Sequence, residues 1–308
     1  MQTAAQVWTP PAGVTRHAGT AIPEEMDFFA GPPAEIGAVM TADSTLKTSS
    51  EPLSPPARIG WAVLIGAIIA AVVWGFLTFL SIELSLTIPL VIVAIIAVLA
   101  YMGMGFKGQC SFVGDRGIAE FTLQGSRRNP PTARVLTFQT AAHLYTRQTR
   151  RFRNGAYQGT RYSYTWTQRD APNHGITGNY HSKEGNPRED DPWHFANSAE
   201  STWTTYLLKF ANQDMGQRGY IEFPMAGNPQ IVRVGKGFLE FVTQKGETQR
   251  ALVSDMRDIK LHSGRFQFKH QDARWWSGKG KYSFAYSSMP NAKLFLMCLD
   301  QLAGVRWG

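Results

Sequence analysis

Residues 59–80 read IGWAVLIGAIIAAVVWGFLTFL, and residues 88–106 read IPLVIVAIIAVLAYMGMGF. The first run has 22 residues and the second 19, and neither carries a charge. About 20 apolar residues cross a hydrocarbon core of roughly 30 Å. The block therefore predicts two membrane-spanning helices, with Glu83 the only charge in the seven-residue link between them. So short a link makes the helices antiparallel neighbours. Thr87 suits a helix cap, and Pro89 is tolerated in a first turn because its missing N–H had no partner there. Gly60, Gly66, Ala67, Ala70, Ala71 and Gly75 supply small residues for close packing, and for association with a second copy through the same helices. Trp61 and Tyr101 fall near the predicted ends, where amphipathic rings favour the headgroup layer.

Positive charge selects the cytoplasmic side. Arg58 flanks the first helix, Lys107, Arg116, Arg127 and Arg128 follow the second, and the link has no Lys or Arg. The expected arrangement is a multi-pass protein of the inner cell membrane with both termini in the cytoplasm. A hairpin buried in a soluble protein is the competing reading, and a 48-residue block with one charge argues against it.

The net charge of +8 is unevenly placed. Residues 1–58 hold 3 Lys and Arg against 6 Asp and Glu, whereas residues 107–169 hold 11 against 2. The basic balance thus follows the apolar block directly. Residues 1–57, rich in Pro, Ala and Thr, read as a disordered cytoplasmic tail, with a short docking motif conceivable at residues 24–29. Their start is neither basic nor followed by an apolar core, so it does not read as a secretory signal peptide. Cys110 and Cys298 read as two unlinked, partly buried thiols. Two cysteines without a CxxC pair make no structural zinc site.

After the block the pattern becomes short strands: residues 109–113, 118–124, 134–140, 144–153 and 157–168. Asn154-Gly155 marks a hairpin, because both residues tolerate positive φ. A two-residue turn there sets Arg147 opposite Tyr162 and Tyr145 opposite Tyr164. Residues 170–197 read as a polar loop. Trp203, Tyr206, Leu207 and Phe210 recur at helical spacing over residues 198–212. The scheme then repeats, with strands over 231–234, 238–243, 248–253, 259–262, 266–270 and 281–285 and a helix over 290–302. Gly117-Ile118-Ala119-Glu120-Phe121 aligns with Gly237-Phe238-Leu239-Glu240-Phe241. The fold class expected is a two-helix transmembrane hairpin (residues 58–106) followed by an α+β, mainly antiparallel body in two units, 107–215 and 219–308.

Antiparallel strands closed by one C-terminal helix, twice over, resemble the pleckstrin-homology-like fold of bacterial membrane-anchored proteins. The resemblance covers residues 107–212 and 228–304 and rests on element order. It implies that Trp203, Tyr206 and Phe210 plug the first unit, and Leu294, Phe295 and Cys298 the second. Lipid-binding members of that family carry a basic motif across their first hairpin. Here the turn at residues 114–117 has only Arg116 against Asp115.

The densest basic feature is the long hairpin, with Arg147, Arg150, Arg151, Arg153 and Arg161. It suits contact with anionic lipid headgroups or an acidic partner, each basic residue contributing about 1 kcal/mol near such a surface. The plainer reading is a solvated hairpin that keeps the domain soluble. Nucleic acid is not expected as a partner, since no recognition motif accompanies the arginines. Trp275 and Trp276, near Lys279 and Lys281, and Trp307 are further candidates for the membrane interface. His174, His181 and His194 share an acidic stretch, but their spacing matches no metal-ligand pattern, and no metal or cofactor is expected. No nucleophile elbow, phosphate loop or dinucleotide fingerprint occurs. The expected role is non-enzymatic binding or scaffolding at the inner membrane face. The alternative is an enzyme or transporter accessory subunit whose site has no recognisable motif.

Overall fold

A computed structural model describes residues 8–79, 87–182, 187–225, 229–262, 264–273 and 280–305, with the side chains of residues 87–90 and 258 left aside. The chain is α+β with mainly antiparallel sheets and four α-helices among the described residues. Its first regular strand, β1 (Val39–Ser44), precedes two apolar helices, α1 (Pro55–Phe79) and α2 (Thr87–Gly103). Strands β2 (Lys107–Gly114), β3 (Gly117–Gln124) and β4 (Thr132–Thr137) follow, and the four form one sheet in the order β1-β2-β3-β4. Strands β5 (Ala141–Arg153), β6 (Ala156–Gln168) and β7 (His174–Tyr180) form a second sheet, and α3 (Trp193–Arg218) packs against both.

The same plan recurs. β8 (Tyr220–Pro224), β9 (Ile231–Gly235), β10 (Phe238–Val242) and β11 (Thr248–Leu252) form a sheet in sequential order. β12 (Met256–His262), β13 (Arg265–His270) and β14 (Lys281–Ala285) form another, and α4 (Ala292–Gln301) ends the unit. Equivalent positions carry equivalent chemistry. Glu120 of β3 stands opposite Arg134 of β4, and Glu240 of β10 stands opposite Arg250 of β11.

The expectation of a disordered tail over residues 1–57 is corrected. Residues 8–50 form a clasp along the first sheet. β1 pairs antiparallel with β2, Thr41 opposite Val113 and Ser44 opposite Cys110. Phe28, Ile36 and Ala42 are buried with Cys110, Phe112 and Ala119 in a core of their own. Gly114 is required by this contact, since a Cβ there would lie 2.2 Å from the Ile36 carbonyl oxygen. The docking motif at residues 24–29 is corrected with it. Phe28 packs edge-on to Trp8, its ring 4.9 Å away, and buried Asp27 is ion-paired with Arg127. Too few apolar residues lie in this segment to signal a core alone, but β2 and β3 supply the rest.

The turn at residues 114–117 therefore joins the second and third strands of the unit. The apolar helices form the connection between the first and second. They pack on each other through Ala62, Gly66 and Ala70, which are buried one turn apart. A Cβ on Gly66 would lie 2.9 Å from the Val93 carbonyl oxygen. Among the described residues α1 is the one helix with the 18 or more apolar residues of a full-length membrane span, so helix length does not support the expected two-helix transmembrane hairpin. α2 has 17 residues and stops at Gly103, short of the expected end at residue 106.

Three further expectations change. The predicted loop over residues 170–197 contains β7, whose Ile176 and Tyr180 fill the first core beside Tyr162 and Tyr164. The helix expected over 198–212 runs from Trp193 to Arg218, and Gly219 ends it with φ 76°. Trp203 is buried, but Phe210 is 51% exposed and plugs nothing. Instead Phe195, Ala196, Ala199 and Trp203 close the first unit, while Leu207, Leu208, Ala211 and Met215 lie on the core of the second. One helix serves both units. Leu294, Phe295 and Cys298 of α4 are buried in the second core.

Candidate functional site

The long hairpin turns at Asn154 and Gly155, with φ of 49° and 77°, the conformation that a two-residue turn between twisted strands needs. One extra residue then enters β6. Phe152 is opposite Tyr157, but Arg151 is opposite Gly159, whose φ is 120°. This β-bulge corrects the expected register: Arg147 pairs with Ser163, and Tyr145 with Thr165. A one-residue shift moves every later side chain to the other face. Tyr162, Tyr164 and Trp166 consequently point into the core. Arg147, Arg151, Arg153 and Arg161 share the outer face, and Arg150 and Phe152 lie on the opposite one.

Residues 147–153 and Arg161 are all exposed. Phe152 is 62% exposed, its ring 5.8 Å from that of Tyr157. Residues 141–168 contain five arginines and no carboxylate. None of the five makes an ion pair among the described residues. A groove of about 570 Å³ runs beside the tip between Arg151, Arg153, Asn179 and His181.

The base of this finger is fixed against α3 and the second unit. Asn291, in the left-handed region at φ 56°, accepts hydrogen bonds at its Oδ1 from the Leu144 N–H (3.0 Å) and the Trp203 Nε1–H (2.9 Å). Its own N–H donates to the Leu144 carbonyl at 2.7 Å. Thr146 Oγ1 donates to Glu200 Oε1 at 2.8 Å. Burial pushes the Glu200 carboxyl above its usual range, opposed by the Thr146 bond and Lys293.

A second polar feature escaped the sequence reading. The clasp, β2 and the start of α3 enclose an open pocket of about 600 Å³. Arg16 Nε lies 3.0 Å from Asp43 and its Nη1 3.1 Å from Glu189, which also accepts from Thr20. The His17 ring is held between Thr41 Oγ1 at 2.8 Å and Ser111 Oγ at 2.9 Å, and Thr41 continues to Ser198 Oγ at 2.9 Å. Burial, with the Arg16 charge adding, pushes the His17 pKa down to about 3. A serine on an imidazole suggests a nucleophile and its base. Yet hydroxyls hold both ring nitrogens, and no carboxylate orients the ring. The arrangement ties three segments of chain together. Residues 17, 41, 111 and 198 show no local spacing that could have revealed it.

Of the interfacial candidates, Trp61 is 53% exposed on α1, and Tyr101 of α2 lies beneath the Arg58 guanidinium, 4.3 Å from its ring centre. Arg58 Nη2 also donates to the Tyr101 carbonyl at 2.8 Å. Trp275, Trp276 and Trp307 lie outside the described residues. The three histidines are dispersed: His174 is buried 3.4 Å from Glu120, His181 borders the finger-tip groove, and His194 binds the Arg188 carbonyl. In the second unit Arg233 bridges Glu222 and Glu240, and Arg250 reaches the other oxygen of Glu240. Burial alone would raise the Glu240 carboxyl, but these two arginines outweigh it and hold it below its usual range.

Neither a protein-family model nor a curated protein matches this chain.

Proposed function

We propose that this chain is a membrane-anchored, non-enzymatic binding or scaffold protein whose two β-rich units stand at the cytoplasmic face of the cell membrane. In this reading α1 spans the membrane, α2, whose 17 residues reach about 26 Å and stand at the short limit for a span, returns the chain so that both ends lie in the cytoplasm, and the two units are pleckstrin-homology-like. The observation that carries it is the outer surface of the helix pair. Ile59, Val63, Ile68, Val72 and Phe76 on α1 and Val91, Ile95, Val98 and Met102 on α2 are exposed, although every one is apolar. An apolar surface of this extent demands a cover, and a bilayer supplies one around both helices at once. Arg58 at the start of α1 and Lys107 after α2 place positive charge on the side of the sheets, as a cytoplasmic body requires.

The test uses the full chain in cells. Cys110 and Cys298 are buried, so added cysteines report alone. The protein is expected in the membrane pellet after an alkaline wash. Ser85→Cys is expected to react with an impermeant thiol reagent from outside, and Ala156→Cys only after permeabilisation. Release by the wash, or equal reaction of both cysteines from one side, overturns the reading.

A further inference from the structure

We infer that the basic finger is a second membrane contact: its tip reaches back to the bilayer that holds α1 and α2 and binds the anionic headgroups there. The inference rests on the membrane reading above and adds the finger's direction, which the structure supplies. β5 runs beside α3. Leu144 lies at the level of Trp203 through Asn291, and Thr146 at the level of Glu200. Gln148 accepts from the Tyr180 hydroxyl at 3.4 Å, and the Tyr180 ring is 5.6 Å from that of Trp193, the first residue of α3. The strand thus follows α3 from its middle to its N-terminus. The five residues from Thr149 to Arg153 carry it on by about 17 Å at the usual rise per strand residue.

The clasp fixes which way that is. Ser198 binds Thr41, and the Phe195 ring lies 5.0 Å from that of His17. Beyond the N-terminus of α3, Glu189 shares Arg16 with Asp43, and Asp191 and Pro192 line one pocket with Asp43, Leu46 and Lys47. Moving down α3 towards its start is therefore moving along the clasp from residue 41 to residue 47, towards α1. β2 leaves α2 at the same end, with three residues between Gly103 and Lys107. The finger tip, the start of α3 and the feet of both apolar helices all lie to one side.

The chemistry of the tip fits that position. Four arginines share one face, with Arg150 behind them and no carboxylate in either strand. Guanidinium groups match phosphate and carboxylate oxygens in pairs. Exposed Phe152 adds an apolar ring near the very end, able to enter the boundary between headgroups and acyl chains. A partner of opposite charge fixed in place by α1 and α2 needs no recruitment, so the contact would orient the body rather than capture it.

The test places the full chain in lipid nanodiscs, of phosphatidylcholine alone or mixed with phosphatidylserine. A water-sensitive fluorophore is attached at Ala156→Cys, and in a separate sample at Val72→Cys on α1. The finger probe is expected to enter a water-poor environment, quenched by headgroup-bound quencher, only in the anionic discs. The equilibrium constant for protection should fall by about two to three powers of ten when Arg147, Arg150, Arg151 and Arg153 are all changed to Ser, each arginine being worth about fivefold. High salt should release the unmutated finger, a readout free of any folding defect in the variant. A finger probe equally wet in both lipids, with the Val72 probe in lipid, overturns the inference alone and leaves the arginines for an acidic protein. A Val72 probe in water overturns the membrane reading and this inference together.

Discussion

Ser44 stands opposite Cys110 in an antiparallel ladder, although both apolar helices lie between them in the chain. The helix pair is thus the loop of a β-hairpin, held at both of its ends by one sheet. The helix pair enters and leaves through neighbouring strands, with ten residues between Ser44 and Pro55 and three between Gly103 and Lys107.

The clasp carries part of the first core, so its apolar contacts should be costly to remove. Phe28→Ala is expected to destabilise the protein by about 3–4 kcal/mol, the usual loss for a buried phenylalanine. Chemical unfolding of the purified full chain would show it. A change below about 1 kcal/mol would mean that residues 8–50 do not belong to the cooperative unit.

Asn291 joins the units through two hydrogen bonds to its side chain and one from its backbone. Asn291→Ala leaves the buried Trp203 Nε1–H without its acceptor and places a Cβ-bearing residue of poor left-handed tolerance at φ 56°. The expected loss is about 2–4 kcal/mol. Asn291→Gly should recover only the backbone share, so unfolding of the two variants separates the contributions.

Protonation of His17 should loosen the clasp. Its folded pKa of about 3 lies below the ordinary 6.5, so the unfolded chain binds the extra proton between these values. Its stabilisation is complete above pH 6.5 and is lost as the pH falls towards 3. The slope from this group is at most about 1.4 kcal/mol per pH unit, less where pocket water screens the ring. Unfolding from pH 7 to 5 should be steeper for the unmodified protein than for His17→Gln. Equal slopes would refute the assignment.

Gly66 sets the closeness of α1 to α2. Gly66→Leu should separate the helices, because even a Cβ there approaches the Val93 carbonyl to 2.9 Å. The cost should be about 1–3 kcal/mol, as for other overpacked contacts. Gly75→Ala, with open space around it, should be neutral or mildly stabilising. Cross-linking of Ala62→Cys with Ala97→Cys in micelles would report the separation.

Much of the body was legible because its signals are local. Asn154-Gly155 marked its turn, and Glu120 and Glu240 marked equivalent strands before any pairing was known. The bulge after Tyr157 was not legible. It depends on which register buries Tyr162, Tyr164 and Trp166, and that is settled by α3 on the far side of the sheet. Phe210 followed helical spacing yet faces solvent, because α3 turns from the first core to the second near Leu207. The arginines of the finger could be counted in the sequence, but their division between two faces could not.

By itself the sequence determined the apolar helices, the repeated strand plan, the positive hairpin and its lack of carboxylates, since each is a property of neighbouring residues. Only the tertiary structure decided that residues 39–44 complete the first sheet, that the helix pair interrupts it, and that Arg147, Arg151, Arg153 and Arg161 share one face of the finger. The physical reason is that sheet pairing and core burial join residues distant in the chain. A polar strand such as β1 carries too little apolar surface to announce itself until β2 is there to receive it.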